Sequence, residues 1–345
     1  MNSLMRRGEY RVVRGVFKPR GVVWEELAMG STNRLWRGRS VGGDWLFKWY
    51  RYPQVGVHPE VEIAQYLEGH PEAAVAGFGG KVEWRNEEGE WVTVGLIQRW
   101  MEGTVAWESV LEDLRGGTAN REQAQEWGRM VGVLHQVLGA GAIGSGFSRE
   151  IWSDGDKGGW VRRVEGIGEQ LLAMLGGQPP EGVELEAWGR ARGLWVEREG
   201  DWRERVRGLG RISVSGWKSR VHGDLHLGQI LMLKRGGSIV VDFEGEPIRS
   251  LSERRAKDLP LRDVAGMLRS FAYAGAVSGT GETGVRELQE AFLEGWMEKM
   301  ELPDGDWRSL LDGLLWEKAV YEAVYELGHR PGWLAVPLRE LCREF

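Results

Sequence analysis

Residues 221–246 read VHGDLHLGQILMLKRGGSIVVDFEGE, and this stretch decides how the rest of the chain is interpreted. It sets a carboxylate, an amide and two further carboxylates at fixed spacings around a hairpin. Asp224 lies in a His-Gly-Asp turn, Gln229 follows five residues on, and Asp242 and Glu244 close the apolar strand Ser238 to Val241. That layout suits a centre for phosphoryl transfer.

Moving a phosphoryl group from a nucleotide requires one group that orients the acceptor hydroxyl and takes its proton. It also requires oxygen ligands for the magnesium that bridges the phosphates. In the protein-kinase catalytic loop the base and an amide ligand have the spacing of Asp224 and Gln229, and a second carboxylate ligand follows on the next hairpin. Gln229 stands where that loop has Asn. A lone HGD triplet reads as a turn cap, since Asp often bonds its own backbone in turns. Its combination with Gln229, Asp242 and Glu244 gives the chemical reading.

With 345 residues the chain can bury a substantial core in about two lobes. A net charge of -6 and a pI near 5.7 argue against a general affinity for nucleic acid or anionic membrane. There is no apolar run long enough to span a bilayer, and MNSLMRRGEYRVVRG lacks the apolar core of a secretory signal, so a soluble cytoplasmic protein is expected. A single cysteine, Cys342, excludes an intramolecular disulfide and a cysteine-based zinc cluster. The 52 glycines and 19 tryptophans suggest a guanine-rich coding sequence more than a sugar-stacking surface.

Strands are expected at Tyr10–Lys18, Gly21–Leu27, Leu35–Arg39, Trp45–Trp49, Gly80–Asn86 and Glu90–Gln98, forming a small antiparallel sheet. The turn Gly30-Ser31-Thr32-Asn33 is either a plain hairpin or a cover for nucleotide phosphates, with Gly30, Ser31 and Asn33 as the contacting positions. Lys48 sits among apolar neighbours in WLFKWY, where an ammonium needs a partner. Glu62 of the helix HPEVEIAQYLEG is the expected partner, since kinases hold the donor phosphates with such a pair. A snorkelling Lys48 and a solvated Glu62 are the alternative. Gln98 to Gly103 reads as a hinge in which backbone groups bind adenine, with Gln98 at its start.

The chain then turns helical. Trp127, Met130, Val131, Leu134 and Val137 recur at helical spacing between Ala119 and Leu138, and His135 near them reads as a core histidine. Helices are also expected at Gly159–Leu175 and Glu181–Leu209. Asp263 suits the N-cap of RDVAGMLRSFAYA or, equally, a brace for the catalytic loop. In WEKAVYEAVYELGHRPGWLAVPL, Lys318, Tyr321, Glu322, Tyr325 and Glu326 fall on neighbouring helical turns, which reads as an acceptor-sugar stripe or a surface helix with charge pairs.

These blocks, HGDLHLGQIL with VDFEGEP and LRDVAGMLRSFAYA, and the C-terminal EKAVYEAVYELGHRPGWLAVPL, resemble the bacterial maltokinases of the aminoglycoside phosphotransferase-like kinases. FKWYRYPQVGVHPEVEIAQYL resembles the same family's lysine-to-glutamate region. The resemblance implies an α+β, bilobal, protein-kinase-like fold. Residues 1–98 would form a small N-lobe with an antiparallel sheet and one helix, 99–104 the hinge, and 105–345 a larger, mainly helical C-lobe carrying the catalytic hairpin. It also implies ATP, Mg2+ and transfer to the anomeric hydroxyl of maltose, with Asp224 as base, Gln229, Asp242 and Glu244 on the metal, and Lys48 on the donor phosphates. His222, His226, Lys318, Tyr321, Glu322, Tyr325 and Arg330 would meet the sugar, and a trehalose synthase would supply maltose. Maltokinases usually have a longer N-terminal cap than the 28 residues that precede Met29 here. Glu244, Glu246, Glu322 and Glu326 leave open a kinase for a cationic acceptor such as glucosamine. A kinase-like binding module without catalysis is a third reading, disfavoured by the presence of Lys48, Asp224 and Asp242.

Overall fold

The computed structural model describes residues 9–13, 15–17, 21–27, 33–246 and 249–342. They form two compact units. The first comprises the chain up to Ala106 together with His222–Asp224 and Gly228–Ala256, and the second comprises Trp107–Val221, Leu225–Leu227 and the chain from Lys257 onward.

The first unit is built on a six-stranded antiparallel sheet. Its strands are β1 (Tyr10–Val13), β2 (Val23–Leu27), β3 (Arg34–Arg39), β4 (Trp45–Trp49), β5 (Phe78–Arg85) and β6 (Trp91–Arg99), in the order β1-β5-β6-β4-β3-β2. Successive side chains along a strand point to opposite faces, so Trp45 and Phe47 of β4 join Trp36, Val82, Val94 and Ile97 in an aromatic cluster on one face. Lys48, between Phe47 and Trp49, points to the other. That second face carries Leu96 and Phe78 and is covered by Val61 and Ala64 of helix α1 (Pro59–Leu67), with Tyr50 in the same cluster. Pro59 at the first helical position pre-sets the backbone and needs no N–H there.

A second, three-stranded antiparallel sheet belongs to the same unit. Strand β7 (Gly103–Val105) pairs with β8 (Ile230–Leu233), which pairs with β9 (Ser238–Val240). The Val240 N–H donates to Ala74 O at 2.8 Å, between α1 and β5 in sequence. These bonds explain why the hairpin expected inside a 105–345 lobe groups with the N-terminal residues. A short helix, Leu251–Arg255, follows, started by a capping box between Ser250 and Glu253.

The second unit is helical: α2 (Ala106–Arg115), α3 (Arg121–Leu138), α4 (Asp154–Leu175), α5 (Leu185–Arg192), α6 (Glu199–Leu209), α7 (Leu261–Ser278), α8 (Glu282–Met297), α9 (Trp307–His329) and α10 (Ala335–Leu341). The expected helix 181–209 is broken into α5 and α6 by a π-helical turn, Gly193–Glu197. That turn seats the Trp195 ring between Trp202 and Trp316, at 5.1 and 5.6 Å between ring centroids. Trp127, Trp296 and Trp316 are fully buried, so these tryptophans serve the core. Helix α7 starts at Leu261, before Asp263, so Asp263 is no N-cap. It is buried and meets His135 Nε2 at 3.0 Å, while the Trp296 indole N–H donates to His135 Nδ1 at 3.0 Å. Among the described residues no helix is long and apolar enough to cross a membrane.

Helices α3 and α8 approach closely because glycines face backbone across the crossing. A Cβ on Gly128 would lie 2.0 Å from Phe292 O, and one on Gly295 would lie 2.0 Å from Gln125 O. Neither carbonyl can swing aside without breaking its helix. Gly295→Ala is therefore expected to lower stability by about 1–3 kcal/mol, the usual cost of overpacking a close-packed site. Alanine otherwise favours a helix over glycine, so urea titration showing equal or higher stability would refute this packing argument.

Candidate active site

Lys48 is 6 % exposed and cannot remain charged there without compensation. Three carboxylates surround its ammonium. Glu60 of α1 is bonded at 3.1–3.2 Å, and Asp242 and Glu244 from the segment after β9 make closer ion pairs. Burial opposes the charge, but Asp242, Glu60 and Glu244 together hold Lys48 protonated well above the ordinary lysine range.

The helix partner differs from the expected one. Glu60, not Glu62, meets Lys48, because α1 turns its inward face through Glu60, Ile63, Ala64 and Leu67, all buried at spacings of three, four and seven. Glu62 lies on another side of the helix and binds Arg255 at 2.8 and 3.0 Å. The signal was available in HPEVE, since only Glu60 shares the helical phase of Ile63, Ala64 and Leu67.

Two residues missed from the sequence complete the cluster around Lys48. The Tyr50 hydroxyl donates to Glu60 Oε2 at 2.9 Å. The His58 ring stacks on Tyr50 with centroids 3.7 Å apart, and its Nε2 lies 4.0 Å from Glu244. Burial, with Lys48 and Arg254 nearby, pushes His58 down to about 3, so it is neutral. Burial pushes Glu60 up to about 8, opposed by Lys48 and assisted by the two other carboxylates.

Asp242 takes φ 68°, the one positive φ at a non-glycine among the described residues. Asp tolerates this left-handed conformation better than most side chains. The conformation turns its carboxylate to Lys48, which, against the opposing effect of burial, holds it down at about 2. The Gln229 amide donates to Asp242 Oδ2 at 3.1 Å, and the Val241 N–H donates to Gln229 O at 2.9 Å, tying the two ends of the hairpin together. Glu244 is also bonded by the Asn33 side-chain amide, whose oxygen accepts the Arg51 N–H at 3.1 Å. Gly30 and Ser31 lie outside the described residues.

Asp224 is half-buried, at the end of a turn whose Gly223 has φ 84°. His222, expected at the sugar, has both ring nitrogens engaged within the fold. Nε2 bonds Val241 O at 2.9 Å, Nδ1 accepts the Asp224 N–H at 3.3 Å, and the ring packs on Phe243 at 4.8 Å. It therefore shapes the Asp224 turn instead of contacting an acceptor. Gln98, at the end of β6, lines a small cavity with Ala64, Leu67, Val75, Val240 and Phe243.

Oxygens of Glu60, Asp242 and Glu244 all lie within 4.8 Å of one another. With the Gln229 amide nearby this is a hard-oxygen donor set, and one ammonium leaves it short of positive charge. Both facts fit magnesium.

In the second unit α9 carries the other expected residues. Tyr321, Tyr325 and His329 stack in sequence along the helix, with Lys318 Nζ 5.2 Å from the Tyr321 ring and Arg330 5.4 Å from that of Tyr325. Glu322 faces inward, buried against the Arg269 guanidinium at 2.6 Å, so its carboxylate serves a buried ion pair and not an exposed sugar contact. His226, half-buried, belongs to the second unit.

Residues 23–297 match the model of the phosphotransferase enzyme family. The chain belongs to that family. It is 27 % identical over 248 residues to a glucosamine kinase of Streptacidiphilus jiangxiensis, covering 67 % of this chain and 52 % of that protein. A second glucosamine kinase, of Mycolicibacterium smegmatis, is 33 % identical over 131 residues, 34 % of this chain and 32 % of that protein. The chain thus spans about half or less of the curated relatives it matches. Among solved structures, a glucosamine kinase in complex with glucosamine, ADP and inorganic phosphate superposes with a TM-score of 0.66 at 19 % identity, covering 94 % of this chain and 79 % of that one. An amicoumacin kinase gives 0.54 at 17 % identity, over 94 % and 89 % of the two chains. The kinase-like α+β fold expected from the sequence is the fold of this chain.

The raised Glu60 has a measurable consequence. Its folded value of about 8 exceeds the unfolded value near 4.5, so the folded protein holds this proton more tightly. The associated stability is full below pH 4.5 and is lost as pH rises through 8. In Glu60→Gln that loss is absent, so the melting temperature of the variant relative to the parent should rise steadily between pH 5 and 8. A difference that stays flat across this range would show that Glu60 is ionised throughout.

Proposed function

We propose that the protein is an ATP- and magnesium-dependent kinase that phosphorylates a hydroxyl of a small amino sugar, with glucosamine as the leading acceptor. The observation that carries the phosphoryl-transfer part is the cluster of Lys48, Glu60, Asp242 and Glu244 beside the Asp224 turn, in a chain of the phosphotransferase enzyme family. The acceptor rests on the two similar proteins named as glucosamine kinases. They favour the amino sugar over maltose, and nothing in them supports maltose 1-phosphate, glycogen synthesis or a trehalose synthase partner.

The four glutamates that made a cationic acceptor plausible from sequence do not support it in the fold. Glu244 is bonded to Lys48, Glu246 to Arg249, Glu322 to Arg269, and Glu326 to Arg330 and the Tyr273 hydroxyl. Glu246, Glu322 and Glu326 thus each have a cationic partner, and Glu244 is committed to the cluster around Lys48.

In this reading Lys48 holds the donor phosphates, with Glu60 and Tyr50 fixing its direction. Asp242, Glu244 and the Gln229 amide oxygen would hold magnesium, which supplies charge neutralisation on the phosphates. Asp224 orients the acceptor hydroxyl and takes its proton as the new O–P bond forms and ADP leaves. His222 keeps the Asp224 turn in place through the Asp224 N–H. Lys318, Tyr321, Tyr325, Arg330 and His226 are the residues proposed for sugar contact.

A panel of glucosamine, glucose and maltose with magnesium and ATP tests the acceptor. The value of kcat/KM for glucosamine should exceed the others by at least about tenfold, since a site built for a polar group rejects analogues lacking it. Preference for maltose would sink the amino-sugar reading. Asp224→Asn should lower kcat by about 10²–10⁴ with nucleotide affinity retained, and an unaltered kcat would remove Asp224 as base.

A further inference from the structure

Helix α1 has nine residues, and its N-cap, His58, makes no side-chain capping bond. A helix that short is marginal by itself. It must nevertheless deliver Glu60 to a site where three carboxylates crowd one ammonium. Something outside the helix has to hold it there, and two consecutive arginines of the short helix Leu251–Arg255 are placed to do so.

Arg255 forms a two-point fork with Glu62, Nε to Oε2 at 3.0 Å and Nη2 to Oε1 at 2.8 Å. This geometry matches the planar guanidinium to the carboxylate and fixes direction as well as distance. Arg254 reaches the other way. Its Nη1 donates to the backbone carbonyl of Glu244 at 3.3 Å, and its Nη2 to Gln54 Oε1, in the loop before α1, at 3.1 Å. The stem of Arg254 packs over Gly245, which has φ 73°. Leu251 of the same short helix reaches that loop too, with Cδ2 3.0 Å from where a Cβ of Gly56 would stand.

We propose that Arg254 and Arg255 are positioning residues that clasp α1 to the Asp242–Glu244 segment, so that Glu60 and the two metal-side carboxylates converge on Lys48 together. The clasp rests on the nucleotide-binding role proposed for these residues and does not depend on which acceptor is used. Glu62 thereby gains a function different from the lysine pairing expected of it. Its carboxylate is the handle by which the segment after Glu244 sets the rotation of α1. Because α1 carries Glu60 two residues earlier, any swing at Glu62 displaces Glu60 from the Lys48 ammonium.

The test measures magnesium-ADP affinity by calorimetry, together with melting temperature, for Glu62→Gln, Arg255→Gln, the two combined, and the charge-swapped Glu62→Arg/Arg255→Glu. Each single change should weaken magnesium-ADP binding by about three- to tenfold, because a two-point charge-assisted fork that sets the direction of α1 is lost. The double change should be no weaker than the singles, and the swapped pair should recover much of the affinity. Singles that bind within twofold of the parent would overturn the clasp. So would a swapped pair that recovers melting temperature but not affinity, because the fork would then serve stability alone. Arg254→Ala should weaken binding in the same way, with partial recovery in Arg254→Lys, and equal affinity in all three would remove Arg254 from the clasp. A parent protein that binds magnesium-ADP yet phosphorylates no amino sugar would refute the acceptor assignment and leave the clasp to be judged on these affinities.

Discussion

One buried ammonium organises the first unit. Lys48 lies in the middle of a strand whose alternate residues face an aromatic cluster, and the pleat turns it to the face covered by α1. An unpaired charge in that position would cost several kcal/mol. The fold brings Glu60 from a helix and Asp242 and Glu244 from beyond a hairpin, residues some twelve and two hundred positions away in sequence. The left-handed backbone at Asp242, the Gln229 amide and the His222 bond to Val241 O all hold the carboxylate-bearing segment against the lysine. The arrangement is unbalanced, with three acids for one base: burial first, helped by the two other carboxylates, raises Glu60, and the surplus of acid suits the site to further positive charge.

Much of this was legible. Five of the six sheet strands fall within two residues of the expected runs, in which aromatic and branched residues recur, β1 takes only Tyr10–Val13 of its run, and the hairpin carrying Gln229 and Asp242 was recognisable from its spacing. The failures have physical causes. Glu60 and Glu62 sit two residues apart in one helix turn, so composition cannot separate them, and only the helical phase of Ile63, Ala64 and Leu67 does. Tyr50 and His58 carry no motif, and their roles come from stacking that exists only once the strand and helix are packed. The family resemblance placed His222 at a sugar, but a ring whose two nitrogens already bond Val241 O and the Asp224 N–H has no capacity left for a ligand.

The helix α9 shows the same limit from another side. Its sequence places Lys318, Tyr321, Glu322 and Tyr325 within two turns, and a stripe of that kind reads as one surface. In the fold it is divided. Tyr321, Tyr325 and His329 form a stacked ladder, with Tyr325 37 % exposed, whereas Glu322 turns inward to Arg269 and Glu326 is buried against Arg330 and Tyr273. Spacing along a helix gives the neighbours of a residue but not the partner that waits on the adjacent helix, and Arg269 is fifty-three positions away from Glu322. Charge counting therefore overstated the acidic character available to an acceptor.

The donor and acceptor halves of the function consequently stand on different ground. The proposed donor half rests on geometry inside one unit: a protonated lysine, carboxylate oxygens within 4.8 Å, and a backbone conformation at Asp242 that serves their convergence. Among the described residues no second cluster of carboxylates marks the proposed acceptor side. If an ammonium on the acceptor is recognised, its recognition must come from groups whose bonding changes when the sugar binds, or from neutral oxygens and aromatic faces such as the Tyr321–Tyr325 ladder. Aromatic faces attract cations and pack equally well on the apolar face of a neutral ring. Selectivity between glucosamine and glucose would then depend on how few hydrogen bonds are satisfied when the amino group is missing, not on net charge at the site.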